Sequence, residues 1–180
     1  MWEIVQAEKQ IDLETAKSLV EEYAASLGID LGFQRFDREL RQFPSHYASP
    51  DGRVLLAKSG NQIAGCVCLR PLTDRMCEMK RLYVRPEYRG QAIGKQLALA
   101  AIQEAKTIGY VCMRLDTLST MSAAMALYET LGFSRREPYY DNPIEGAMFF
   151  ELELQRGEQN EVQGSYFPVG AQPHCPITLQ

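Results

Sequence analysis

Histidine is scarce in this sequence: His46 and His174 are the only two among 180 residues. A His-built metal centre or a histidine-activated nucleophile therefore has little to be made from. The five cysteines, Cys66, Cys68, Cys77, Cys112 and Cys175, do not repair this. Their number is odd and their spacings are those of strand positions in apolar runs, so reduced core thiols are expected. Cys66 and Cys68 would share one strand face, but two ligands do not make a zinc site, and no metal is expected. Long apolar runs are also missing. None reaches the ~18 residues of a membrane span, and the charged N-terminus lacks the apolar stretch of a signal peptide. The expectation is a cytoplasmic protein without a membrane partner. Positive charge is not in excess either: the net charge of -4 disfavours a coat for nucleic acid. It leaves room for a small basic or polar substrate. Neither GxGxxG after a strand nor GxxxxGK[ST] occurs, and no internal repeat is found.

What is present is a foldable core. Hydrophobic residues make up 46% of the chain, enough for one sizeable domain. "WEIVQA" (2–7) reads as a strand. Residues 10–27 repeat apolar side chains every three or four positions and read as a helix. A second short helix is expected over 34–43, ended by Pro44. "GRVLLAKS" and "QIAGCVCLRPL" read as a hairpin around Gly60–Asn61, and "MCEMKRLYV" (76–84) as a fourth strand. A helix over 92–108 should turn Ile93, Leu97, Ala101, Ala105 and Ile108 inward. "YVCMRLDT" reads as a strand, 122–132 as a helix, and "FSRREPYY" and "AMFFELEL" as two final strands around Asn142–Pro143. The order predicts a mixed α/β (α+β) domain over 1–154, with a mostly antiparallel central sheet flanked by about four helices. Residues 155–180 are polar, rich in Gly and Pro, without period, and read as a tail. The edge of the last strands offers a surface for pairing in a homodimer.

The chemistry concentrates in "YVRPEYRGQAIGKQLALAA" (83–101), where a strand turns into a helix. A bend needs one glycine; here there are Gly90, Gly94 and the small Ala92. The first N–H groups of a helix lack internal partners, and the dipole adds partial positive charge there. Small residues at 90, 92 and 94 would let a pyrophosphate reach those groups, with Arg89 and Lys95 adding charge. The other reading of the segment alone is an ordinary glycine turn with solvated cations.

"RLYVRPEYRGQAIG" followed by an amphipathic helix resembles the acetyl-CoA motif of the GCN5-related N-acetyltransferases. "ALYETLGF" (126–133) resembles their second block, and the element order is similar over 2–154. Ala92 stands where the family has its first glycine of the loop. The resemblance implies a GNAT-like sheet and acetyl-CoA as the donor. The pyrophosphate would rest on backbone N–H groups of Arg89, Gly90, Gln91, Ala92, Ile93, Gly94 and Lys95. The pantetheine arm would pair with the backbone of Leu82, Tyr83 and Val84, which requires the fourth and fifth strands to splay.

Strand 76–84 places Met76, Glu78, Lys80, Leu82 and Val84 on one face and Cys77, Met79, Arg81 and Tyr83 on the other. Charge on both faces points to a wet cleft beside its N-terminal half. The resemblance places a general base at Glu78; the alternative is a carboxylate paired with Lys80 or Arg81. It likewise makes Tyr128 the acid that protonates departing coenzyme A; the alternative is a core tyrosine. Met121 replaces the asparagine the family often carries seven residues earlier. Cys77 and Cys112 have no nearby histidine to make either an acyl-carrying nucleophile, so direct transfer is expected. Phe33 and Phe36 would wall the acceptor pocket, Asp30, Asp37 and Glu39 would attract a cationic amine, and Tyr139 and Tyr140 would stand opposite. The expected acceptor is a small-molecule or amino-acid-like primary amine. A protein lysine or N-terminus, or a non-catalytic acyl-CoA sensor, are the alternatives.

Overall fold

The computed structural model describes residues 1–28 and 36–154. Phe33, Asp30 and the tail over 155–180 lie outside the described residues. One seven-stranded sheet runs through the domain in the order β1-β2-β3-β4-β5-β7-β6. Its strands are β1 (Glu3–Gln6), β2 (Arg53–Ser59), β3 (Gln62–Pro71), β4 (Met76–Val84), β5 (Cys112–Leu118), β6 (Ser134–Arg136) and β7 (Ala147–Glu153). Helices α1 (Gln10–Leu27) and α2 (Phe36–Arg41) follow β1; α3 (Ile93–Ile108) joins β4 to β5, and α4 (Ser122–Thr130) follows β5. Every strand pair is antiparallel except β4 with β5, which α3 connects as a crossover.

Alternation along the central strands builds a core on each face. Val67 and Leu69 of β3 pack with Ile93, Leu97 and Ala101 of α3 and Tyr128 of α4. Cys66 and Cys68, one residue out of step, pack with Ala16, Leu19 and Val20 of α1. The four described cysteines are buried, as their spacing suggested. Burial pushes the Cys66 thiol up to about 12, so it is a packing group and not a nucleophile. Among the described residues no group of three or more His, Cys, Asp or Glu is placed to hold a metal ion. No helix of the described residues is long and apolar enough to cross a membrane.

Two elements differ from expectation. The strand expected over "FSRREPYY" ends at Arg136. Pro138 has no N–H for a ladder bond, and Tyr139 and Tyr140 instead turn over the sheet. Strand β4 carries a bulge: Cys66 lies opposite Tyr83 and Cys68 opposite Lys80, so two steps along β3 match three along β4. Arg81, at the extra position, has φ 58°. The bulge inverts the expected alternation. Leu82 and Val84 join Cys77 and Met79 on the α3 face, while Tyr83 packs on the α1 side.

Candidate active site

Strands β4 and β5 share only three register pairs, Met76 with Cys112, Cys77 with Met113 and Glu78 with Arg114. Beyond Glu78 they diverge, which is the splay that an inserted cofactor arm requires. The gap is a cleft of about 420 Å³. The whole C-terminal part of β4, from Met79 to Val84, lines it, with Asp116 and Thr117 of β5, Tyr128 of α4 and Tyr23 of α1. The wet cleft therefore borders the C-terminal half of β4, not its N-terminal half. That half is paired on both sides and buried throughout.

At the mouth of the cleft, β4 passes through a 3-10 turn (Pro86–Tyr88) into α3. Gly90 has φ 80° with open space around its α-carbon, so the backbone conformation and not packing calls for glycine there. Ala92, at the helix N-cap, has φ 57° and provides no side-chain cap. The α3 N-terminus is thus left open to an anion. A side chain at Gly94 would meet Val84 and Leu127 only at ordinary contact distance. Arg89 lines the cleft and donates from Nε to the Val84 carbonyl at 3.0 Å. Gln91 accepts a hydrogen bond from the Trp2 indole at 3.1 Å, while the side chain of Lys95 is exposed and that of Ile93 is core. Gly65 of β3 shows how tightly β4 is held: a methyl there would sit 2.2 Å from the Tyr83 carbonyl oxygen.

Glu78 does not line the cleft. Its side chain is fully buried, and Arg70 reaches Oε2 at 2.6 Å and 2.5 Å through Nε and Nη2. Tyr139 donates to Oε1 at 2.5 Å, and Lys80 lies 3.9 Å away. Of the partners weighed for it, Lys80 is distant and Arg81 is not a partner; the strong ones come from β3 and from the loop after β6. Glu78 belongs to an ionic row across the sheet, continued by Arg114 and Arg136 on Glu151. The Tyr139 ring covers this row, with the Arg114 guanidinium 5.3 Å from its centroid.

The carboxylate that does face the cleft is Asp116. Lys80 donates to its Oδ1 at 2.8 Å, and Tyr140 to its Oδ2 at 2.8 Å. Burial alone would raise this carboxyl; the Lys80 charge and hydrogen bond, with that of Tyr140, outweigh it and hold the group below the ordinary range. Tyr128 is 7% exposed and faces the same space. Burial pushes its hydroxyl well above the usual tyrosine value, so it keeps its proton at neutral pH. Tyr139 and Tyr140 stand behind the cleft wall, and Asn142 and Ile144 of the same loop reach the surface of the cleft. Phe36 lies under the Arg81 guanidinium, 5.0 Å from it, rather than in the cleft. Glu39, expected to attract an amine, is buried and bound to Arg81. Met121, in the place of the family's asparagine, lines the cleft, and its thioether accepts from the Thr117 hydroxyl at 3.7 Å.

Asp116, Lys80 and Tyr23 were not picked out from the sequence as site residues. A signal existed in the lone carboxylate of the apolar strand "CMRLDTL", but its cation lies 36 residues away on β4, beyond the last β4–β5 register pair.

Comparison with known proteins agrees with this fold. An acetyltransferase of the GNAT family from Staphylococcus aureus superposes with a TM-score of 0.70 at 22% identity, covering 86% of this chain and 100% of that one. A Salmonella typhimurium protein solved with its cofactor acetyl-CoA superposes at 0.61 with 18% identity, covering 90% and 99%. The fold is that of the GNAT acetyltransferases. The model of the acetyltransferase (GNAT) family matches residues 16–133. An uncharacterized N-acetyltransferase of Schizosaccharomyces pombe is 44% identical over 147 residues, 81% of this chain and 90% of its own. The chain belongs to this family and is an N-acetyltransferase.

Proposed function

We propose that the protein moves an acetyl group from acetyl-CoA directly to the primary amine of a small, amino-acid-like acceptor. The observation that carries this reading is the splay of β4 from β5, opening beside the uncapped N-terminus of α3. The pyrophosphate lies on the N–H groups between Arg89 and Lys95, where the helix dipole favours an anion. The pantetheine arm adds to the free edge of β4 along Leu82, Tyr83 and Val84. The acceptor ammonium is drawn to Asp116, and a carboxylate on the same acceptor meets Lys80.

A free amine of pKa ~10 is only about one part in a thousand neutral at pH 7. The neutral nitrogen attacks the thioester carbonyl, forming the C–N bond, while a β4 backbone N–H holds the oxyanion. The nitrogen, acidified by attack, passes its proton to Asp116. The C–S bond breaks with its electron pair on sulfur, and the Tyr128 hydroxyl protonates the thiolate. Glu78 acts underneath as a charge that fixes Arg70, Tyr139 and, at longer range, Lys80.

Calorimetric titration with acetyl-CoA, then coenzyme A release with a panel of amines and peptides, tests this reading. Micromolar donor binding and turnover with small amines are expected. Turnover confined to peptides would move the acceptor to protein, and donor binding without any turnover would make the module a sensor.

A further inference from the structure

We propose that Glu39 of α2, which does not line the cleft, is a positioning residue for acetyl transfer: it clamps Arg81 and thereby locks the β4 bulge that aims the strand's backbone at the thioester. The inference rests on the donor site proposed above. Arg81 holds a left-handed backbone conformation, which a residue with a β-carbon rarely adopts. Such conformations persist only where the surroundings over-determine them, and they gather at functional sites.

Here the surroundings are specific. Arg81 donates from Nε to Glu39 Oε1 at 3.0 Å and from Nη2 to Oε2 at 2.7 Å, a bidentate fork. The Tyr47 hydroxyl donates to the same Oε1 at 2.7 Å, which fixes the carboxylate from its other side. The Phe36 ring lies against the guanidinium, and the Cys66 thiol donates to the Arg81 carbonyl at 3.5 Å. The two charged side chains are 3% and 7% exposed. A buried ion pair is a poor device for stability alone, since apolar residues of similar volume serve as well; its best-attested use is to specify one geometry.

The geometry specified here is the bulge. The extra residue changes which β4 N–H groups turn to β3 and which turn to the gap left by β5. Slippage of the bulge would re-aim the oxyanion donors and return Leu82 and Val84 to the wrong face. The pyrophosphate loop, residues 89–95, lies beyond this point and does not depend on the clamp.

Glu39→Gln, Arg81→Lys and the double variant Arg81→Gly with Glu39→Gln test the proposal. The first two should lower kcat by about 10–100-fold, with a smaller loss of coenzyme A affinity by calorimetry, since the loop 89–95 still holds the pyrophosphate while the arm pairs with the displaced strand. Glycine takes the left-handed conformation without strain, so the double variant should recover most of the lost kcat. Amide hydrogen exchange at Arg81, Leu82 and Tyr83, which needs no substrate, should quicken in Glu39→Gln. Unchanged kcat and unchanged exchange in a folded Glu39→Gln, with only a lower melting temperature, would overturn the proposal. A parent chain that failed to bind acetyl-CoA would instead remove the donor site, and the exchange result would still decide whether Glu39 locks the bulge.

Discussion

At the scale of single residues, two carboxylates on neighbouring strands have opposite lives. Glu78 is enclosed, with Arg70 and Tyr139 on its oxygens; Asp116 is tied to Lys80 and still faces the cleft. Removing one partner of a buried ion pair costs about 3–5 kcal/mol. Glu78→Gln should therefore lower stability by an amount of that order, seen in urea unfolding, with the larger part of the effect on folding. Asp116→Asn should leave a folded chain whose kcat/KM falls roughly 10²-fold for cationic acceptors. Tyr128→Phe should cost kcat by about 10²-fold with little change in donor affinity. Acid stability follows from the same groups. Burial acts to raise Glu39, but the Arg81 hydrogen bonds and charge and the Tyr47 hydroxyl prevail, and both Glu39 and Asp116 lie below their ordinary values. A lowered carboxyl contributes in full above its unfolded pKa, and that contribution fades as pH falls through the folded one. Unfolding free energy should hold level from neutral pH to about 5 and drop below the ordinary carboxylate range. In Glu39→Gln that acid decline should be shallower.

At the scale of elements, periodicity carried most of the information. The 3–4 spacing of α1 and α3 was legible because each buries one stripe, and β2 and β3 were legible because both faces are buried and leave near-continuous apolar runs around the Gly60–Asn61 turn. The turn into α3 was legible because Gly90 and the small Ala92 answer a local backbone demand. The bulge was not: one inserted residue leaves the composition of β4 unchanged, and only the β3 register exposes it. Its ion pair was hidden for a related reason, since Glu39 and Arg81 are 42 residues apart and each looks like a surface charge in isolation. The path of Tyr139 and Tyr140 depended on long-range partners, Glu78 and Asp116, that no window of sequence contains. At Gly65 the demand is steric. Gly65→Ala pushes a methyl against the Tyr83 carbonyl and should destabilise by about 3 kcal/mol, read as a shift in the urea midpoint.

At the scale of the whole molecule, the sheet has an apolar side under α3 and a side that mixes α1 packing with the ionic row under Tyr139. The proposed donor site sits where the sheet opens, so a donor bound there would bridge both halves of the sheet. Ligand that binds only the folded form stabilises by about 2.7 kcal/mol at a hundredfold excess over Kd. Acetyl-CoA should therefore raise the melting temperature by several degrees, and coenzyme A, which keeps the pyrophosphate, should give most of that rise. The thiols of Cys66 and Cys77 hold a further consequence. Cys66 and Cys77 point to opposite sides of one sheet, so an alkylating reagent reaches each only when its own side lifts. The order in which mass spectrometry finds them modified would time the opening of the two layers separately, a clock built into the chain without any added probe.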